Sequence, residues 1–212
     1  MPVKDSYVEA ANQVVNLLAN PRVASRWDRP SALPQMTVGA LAGHLGRSVL
    51  QVETYLAAES PPIDAPCLTA VEYYAGLVGV DDLGSALNVG VRQRAAESAA
   101  GGHPALMAEV THCLQSLRER LPVEHPDRRV AVFNGRIMFL DQYLRTRLIE
   151  ITVHLDDLAL SVGLPTPAIP EVALGTAIEV LVAIARARHG SLAVLRALTR
   201  RERDPDAALR VL

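Results

Sequence analysis

The stretch YLRTRLIEITVHLDDLALS, residues 143–161, carries the longest uninterrupted helical pattern in the chain. On a helix turning about 100° per residue, Leu144, Leu148, Ile151, Leu155 and Leu158 share one narrow stripe, the pattern of a core-facing helix. A polar row runs beside that stripe: Tyr143, Arg147, Glu150, His154, Asp157 and Ser161. Ile149, Val153 and Leu160 cover much of the remaining face, so the polar row is expected to be at least partly enclosed. Enclosed carboxylates and imidazoles need partners. Glu150 and His154 lie four residues apart, about one turn, within reach of a single ion. The same spacing also makes an ordinary hydrogen-bonded Glu–His pair, and both readings stand at this point.

The chain around this helix is 212 residues long, enough for one domain, with or without an appendage, and a sizeable core. Half of its residues are hydrophobic but only 4% are aromatic, and β-branched runs are few beside the many Ala and Leu. That composition favours helix nearly everywhere and an all-α protein. A formal charge of -2 leaves no electrostatic footprint for nucleic acid or an anionic membrane. Lys4 stands alone among basic residues that are otherwise all arginine, which reads as codon bias rather than chemistry. Cys67 and Cys113 form neither a disulfide framework nor a metal spacing, which fits a reducing compartment. With no leader-like N-terminus and no apolar run of membrane length, a cytoplasmic protein is expected.

In chain order, a first helix is expected over residues 6–18, opened by a Ser6–Glu9 capping box. An irregular connection with Trp27, Pro30 and Pro34 follows, and Thr37 caps a long helix, TVGALAGHLGRSVLQVETYLAAE, with His44 beside its buried seam. A lone histidine there is ordinarily a satisfied core or boundary residue. The loop SPPIDAP precedes a short helix at 69–78, and Asp82 is expected to cap another helix running to about residue 99. Arg92 and Arg94 near its end are either solvated or turned to a pocket, where guanidinium suits a carboxylate of substrate or thiol. After Gly101 and Gly102 comes an amphipathic helix whose Glu109 and His112 have no matching second motif and read as surface. Residues 130–133 are expected to be extended, Asn134 and Gly135 to turn, and Arg136 to start the central helix. The linker LPTPAIPE leads to helices at 172–188 and 191–199, and the charged RRERDPDAALRVL ends the chain.

Taken together, TVGALAGHLGRSVLQVETYL, preceded by Trp27, and the later YLRTRLIEITVHLDDLALSVG resemble the N-terminal domain of mycothiol-dependent maleylpyruvate isomerases, within the DinB-like superfamily of helical bundles. The resemblance spans roughly residues 6–163. It implies a DinB-like four-helix bundle over residues 1–163 with additional C-terminal helices over 164–212. In that family a histidine on the second helix and a pair four apart on the later long helix bind a divalent metal, usually zinc. The matching positions are His44, Glu150 and His154. Other DinB-like proteins use histidine where this chain has Glu150, so the glutamate favours the isomerase branch. The isomerases also carry a C-terminal α/β domain that helps close the active site, whereas residues 164–212 look helical and are too few to form it.

The resemblance implies a zinc-dependent enzyme that uses a low-molecular-weight thiol, mycothiol, to isomerise or S-modify a small electrophile. Arg147 would orient Glu150 or bind an anionic group, Asp157 would fix the tautomer of His154, and Tyr143 would contact substrate. Each of the three also has a plain reading as a helix-surface ion pair or hydrogen bond. The oligomeric state stays open at this point, although DinB-like bundles often pair and the resemblance allows a homodimer. The rival reading is a non-catalytic metal-binding or ligand-sensing bundle, and a third is a hydrolase or detoxifying transferase acting on a thiol conjugate.

Overall fold

The computed structural model describes residues 2–125, 127–202 and 205–211. Helix α1 (Val3–Leu18) opens nearly a turn before the expected capping box. Pro2 supplies the non-helical entry, and Ser6, buried inside the helix, returns its hydroxyl to the Pro2 carbonyl at 3.3 Å instead of capping. A short α2 (Pro21–Ser25) precedes α3 (Val38–Ala57), where Thr37 caps as its sequence position predicts, accepting from the Ala40 amide at 3.1 Å.

Helix α4 (Ala70–Ala75) is opened by a reciprocal Thr69–Glu72 box and stops at Gly76. In α5 (Ala86–Ala99) the cap is Ser85, accepting from the Asn88 amide at 3.2 Å. Asp82, the expected cap, instead accepts from the Gly84 amide at 2.8 Å, which spends its carboxylate in a local turn. Helix α6 (Gly102–Arg120) follows, its Glu109 and His112 exposed as expected.

Strands β1 (Arg129–Ala131) and β2 (Ile137–Phe139) form an antiparallel hairpin with Val130 opposite Met138, turning through Asn134 at φ 60°. Arg136 is therefore extended backbone rather than the start of the central helix, and α7 (Leu140–Val162) begins four residues later. Strand geometry wins because it buries Met138 completely and lets the Ile137 carbonyl accept from the Leu68 amide at 2.8 Å. Gly163, at φ 68°, ends α7 in the left-handed conformation that an L side chain resists.

Helices α1, α3, α6 and α7 form the bundle: α1 packs on α6 and α7, and α3 packs on the same two. Leu144, Leu148, Ile151, Leu155 and Leu158 are all fully buried, each worth about 1.5–3 kcal/mol of transfer free energy. Of the apolar residues on the other face, Ile149 is buried, whereas Val153 and Leu160 are exposed. Helix α5 lies across α3 at Gly43, where an added Cβ would come within 2.4 Å of the Ala95 carbonyl oxygen. The crossing is that close because Gly43 has no side chain.

After Gly163, α8 (Glu171–His189) packs on α7, α4 and α1, and α9 (Ser191–Thr199) and α10 (Asp206–Leu209) complete the chain. Ala173, Ala177, Ile184 and Val194 join the same buried cluster as the bundle. Arg203, Asp204 and Leu212 of the charged terminal stretch, and Pro126 of the loop after α6, lie outside the described residues. Among the described residues the fold is all-α apart from the hairpin, and no helix is long and apolar enough to cross a membrane.

Candidate metal centre

Helices α3 and α7 run antiparallel, and their facing polar residues form rungs along the floor of a cavity of about 520 Å³. At one end His44 meets Glu150 and His154. One turn further, Arg47 of α3 and Arg147 of α7 both line the cavity. Gln51 then accepts from Arg147 Nη1 at 3.4 Å, and Tyr55 meets Tyr143 edge to face at 5.3 Å between ring centroids. Each step is three or four residues along both helices, so the ladder follows directly from helical periodicity.

The first rung is a compact donor triangle. His44 Nε2 lies 3.2 Å from Glu150 Oε2, His154 Nε2 lies 3.4 Å from the same oxygen, and the two ring nitrogens are 3.1 Å apart. A tetrahedral zinc with bonds of about 2.0–2.1 Å holds its donors about 3.3 Å from one another, so the three atoms fit one divalent ion. His154 Nδ1–H donates to Asp157 Oδ2 at 2.9 Å, which directs the Nε2 lone pair into the triangle. Glu150 is held from behind: the Tyr74 hydroxyl donates to Oε1 at 2.6 Å, leaving Oε2 to face both imidazoles.

Electrostatics separates the two histidines. Burial pushes His44 below the ordinary imidazole range, and the neighbouring His154 lowers it further against the opposing pull of Glu150. Burial would lower His154 as well, but Asp157 and Glu150 outweigh it and raise this imidazole to about 9. Glu150 would be raised by burial, yet hydrogen bonds from both imidazoles and the Arg147 charge hold it well below the usual carboxylate range. An ionised carboxylate between two imidazole Nε2 atoms, which offer lone pairs once deprotonated, is a donor set that suits a divalent metal ion.

Tyr143, Arg147, Arg92 and Arg94 all line the same cavity as the triad. Arg147 is buried, donates through Nε to Thr146 Oγ1 at 3.1 Å, and lies 4.9 Å from the centroid of the Tyr143 ring. Tyr143 is also buried, and its hydroxyl has no hydrogen-bond partner among the described residues. Arg92 and Arg94 both reach the cavity wall from α5: Arg92 Nη2 donates to the Leu83 carbonyl at 2.8 Å, and Arg94 stacks 4.7 Å over the Phe133 ring. Ser161 faces elsewhere, accepting from the Ala32 amide. Neither cysteine lines the cavity, and burial, with Glu53 and Glu109 nearby, pushes the Cys113 thiol up to about 12.

Two residues escaped the sequence reading. Arg47 carried a signal, since it stands three residues after His44 and so on the same helix face. Tyr74 carried none. It reaches Glu150 because the hairpin and the Thr69 cap set α4 against α7, a placement fixed by contacts between distant segments.

The fold and this donor set define a DinB-like helical bundle with two imidazoles and one carboxylate at its centre. The family model described as the mycothiol maleylpyruvate isomerase N-terminal domain matches residues 7–159. The chain belongs to that family. Comparison with curated proteins and with solved structures gives no match.

Proposed function

We propose that this protein is a zinc- and thiol-dependent enzyme that uses a low-molecular-weight thiol, mycothiol, to isomerise or S-modify a small electrophile. The observation that carries the reading is the convergence of His44 Nε2, His154 Nε2 and Glu150 Oε2, at 3.1–3.4 Å from one another, on the wall of an open cavity. Two neutral imidazoles and one carboxylate leave a divalent ion a net positive charge and a free coordination position, the conditions under which a bound thiol is held as its nucleophilic thiolate.

The chain's own residues do the rest. Asp157 keeps His154 in the tautomer whose Nε2 is a donor, and Tyr74 holds Glu150 so that Oε2 is presented to the site. Arg147 and Tyr143, one and two rungs along the floor, face the space a substrate would fill. The buried Ile149 and the more exposed Val153 line the cavity on the α7 side. Cys113 remains a buried thiol and supplies no nucleophile.

Elemental analysis of the purified protein, with His44→Ala and His154→Ala beside it, tests the reading. About one zinc per chain, lost in both variants while helix content is kept, is the expected result. Turnover of electrophiles by the zinc-loaded protein should then require mycothiol. An absence of metal after zinc is supplied, or inertness with mycothiol across a broad electrophile panel, would transfer the family membership to a ligand-sensing bundle.

A further inference from the structure

The second rung of the cavity floor collects more positive charge than the carboxylates beside it can balance, since Glu150 is the one acidic group among the described residues that acts on Arg147. Arg47, Arg92, Arg94 and Arg147 line the cavity, against Glu150 and Asp157 as the only acidic lining residues among those described, and both carboxylates are already engaged by histidine. Neither Arg47 nor Arg94 makes a side-chain hydrogen bond or ion pair among the described residues. Arg147 is more than nine-tenths buried, and its hydrogen bonds go to the neutral Thr146 and Gln51. Burial and the charges of Arg94 and Arg147 lower the Arg47 guanidinium, as expected of cations crowded without a counterion. The buried, unpartnered Tyr143 hydroxyl beside them adds a donor with nothing to donate to.

The other wall has the opposite character. On α5, Leu87, Val91 and Arg94 follow at spacings of four and three, so two apolar side chains and one guanidinium share a face. Leu77, Leu83 and Phe133 extend the apolar surface. From Leu87 to Arg94 the helix rises about 10 Å, the length of an eight-carbon chain.

We infer that the cavity takes an amphipathic organic anion, with its oxyanion head between Arg47, Arg94 and Arg147 and its apolar body along Leu77, Leu87 and Val91. This deepens the proposed function by naming the class of electrophile, and it rests on that reading only for what happens after binding. A small, fully polar acid would leave the α5 wall uncovered, and a neutral hydrophobe would leave the guanidiniums unpaired.

Calorimetry on the chelator-treated, metal-free protein tests binding apart from catalysis, so a failure of the zinc and thiol reading leaves this measurement standing. The probes are octanoate, octyl phosphate, octanamide and acetate. Octanoate or octyl phosphate should bind at least about tenfold more tightly than either octanamide or acetate, the tighter of the two naming the head group as carboxylate or phosphate. Arg47→Gln should weaken the anionic octyl probe about tenfold without changing octanamide, and Leu87→Gln should weaken it without changing acetate. Arg47 and Leu87 are both only partly buried, so these variants are expected to fold. Acetate binding as tightly as octanoate, or Arg47→Gln without effect, would overturn the proposal.

Discussion

Replacing Tyr74 by phenylalanine removes the hydroxyl that donates to Glu150 Oε1 at 2.6 Å and leaves the ring in its buried place. Zinc affinity, measured by competition with a chelator, should fall about 10–100-fold with the helical spectrum unchanged. Protons should compete at the same site. His154, raised to about 9 by Asp157 and Glu150 against the effect of burial, is cationic at neutral pH without metal, and ligation needs it neutral. Zinc affinity should therefore rise about tenfold per pH unit from roughly 6.5 and level off near 9. Metal-free stability should carry the opposite contribution. A folded pKa above the unfolded 6.5 stabilises below 6.5 and is lost as pH climbs through about 9, which thermal melts of the chelated protein can follow. The pairing of Glu150 with His154 was legible in their i, i+4 spacing, whereas the joining of His44 to them rested on the family resemblance alone. Tyr74 was not, since nothing local in AVEYYA says which distant carboxylate its hydroxyl will meet.

At the scale of elements, the close crossing of α3 and α5 is the feature most sensitive to a single atom. Gly43→Ala would place a Cβ 2.4 Å from the Ala95 carbonyl oxygen, a backbone atom that can yield only if α5 moves. A loss of about 1–3 kcal/mol in chemical denaturation is expected, together with weaker zinc binding, because His44 is the next residue on α3. Helix interiors were readable from periodicity, and α9 matches the expected residues 191–199. Helix starts were less so. Asp82 and Ser85 are both good caps by type, and the choice was made by a turn that consumed the aspartate first. Arg136 to Phe139 has no sequence mark that sets it apart from the helix that follows. Its extended form depends on pairing with β1 and on burial of Met138, neither of which is local.

Across the whole molecule, the C-terminal helices reach back to the centre through Arg188. Its guanidinium donates to the carbonyls of Val211 and Tyr74, both at 2.7 Å, so one residue joins the last described segment to the helix that steadies Glu150. Arg188→Ala should cost about 2 kcal/mol of folding stability and should also lower zinc affinity through the loosened Tyr74, both of which a melt and a chelator titration would register. The sequence reading saw residues 164–212 as an extension. Their burial with the bundle was hidden because α8 carries small residues, Ala173, Ala177 and Ala185, where a large apolar stripe would have announced a core face.

The placement of Cys113 also bears on self-protection. In the proposed function, electrophiles gathered beside an activated thiol would endanger any nucleophile the protein itself exposes. With its thiol buried against the Val49 carbonyl and pushed up to about 12, Cys113 has a thiolate fraction on the order of 10⁻⁵ at neutral pH. Under the proposed thiol chemistry, the reactive sulfur is borrowed for each turnover while the protein's own core sulfur stays inert.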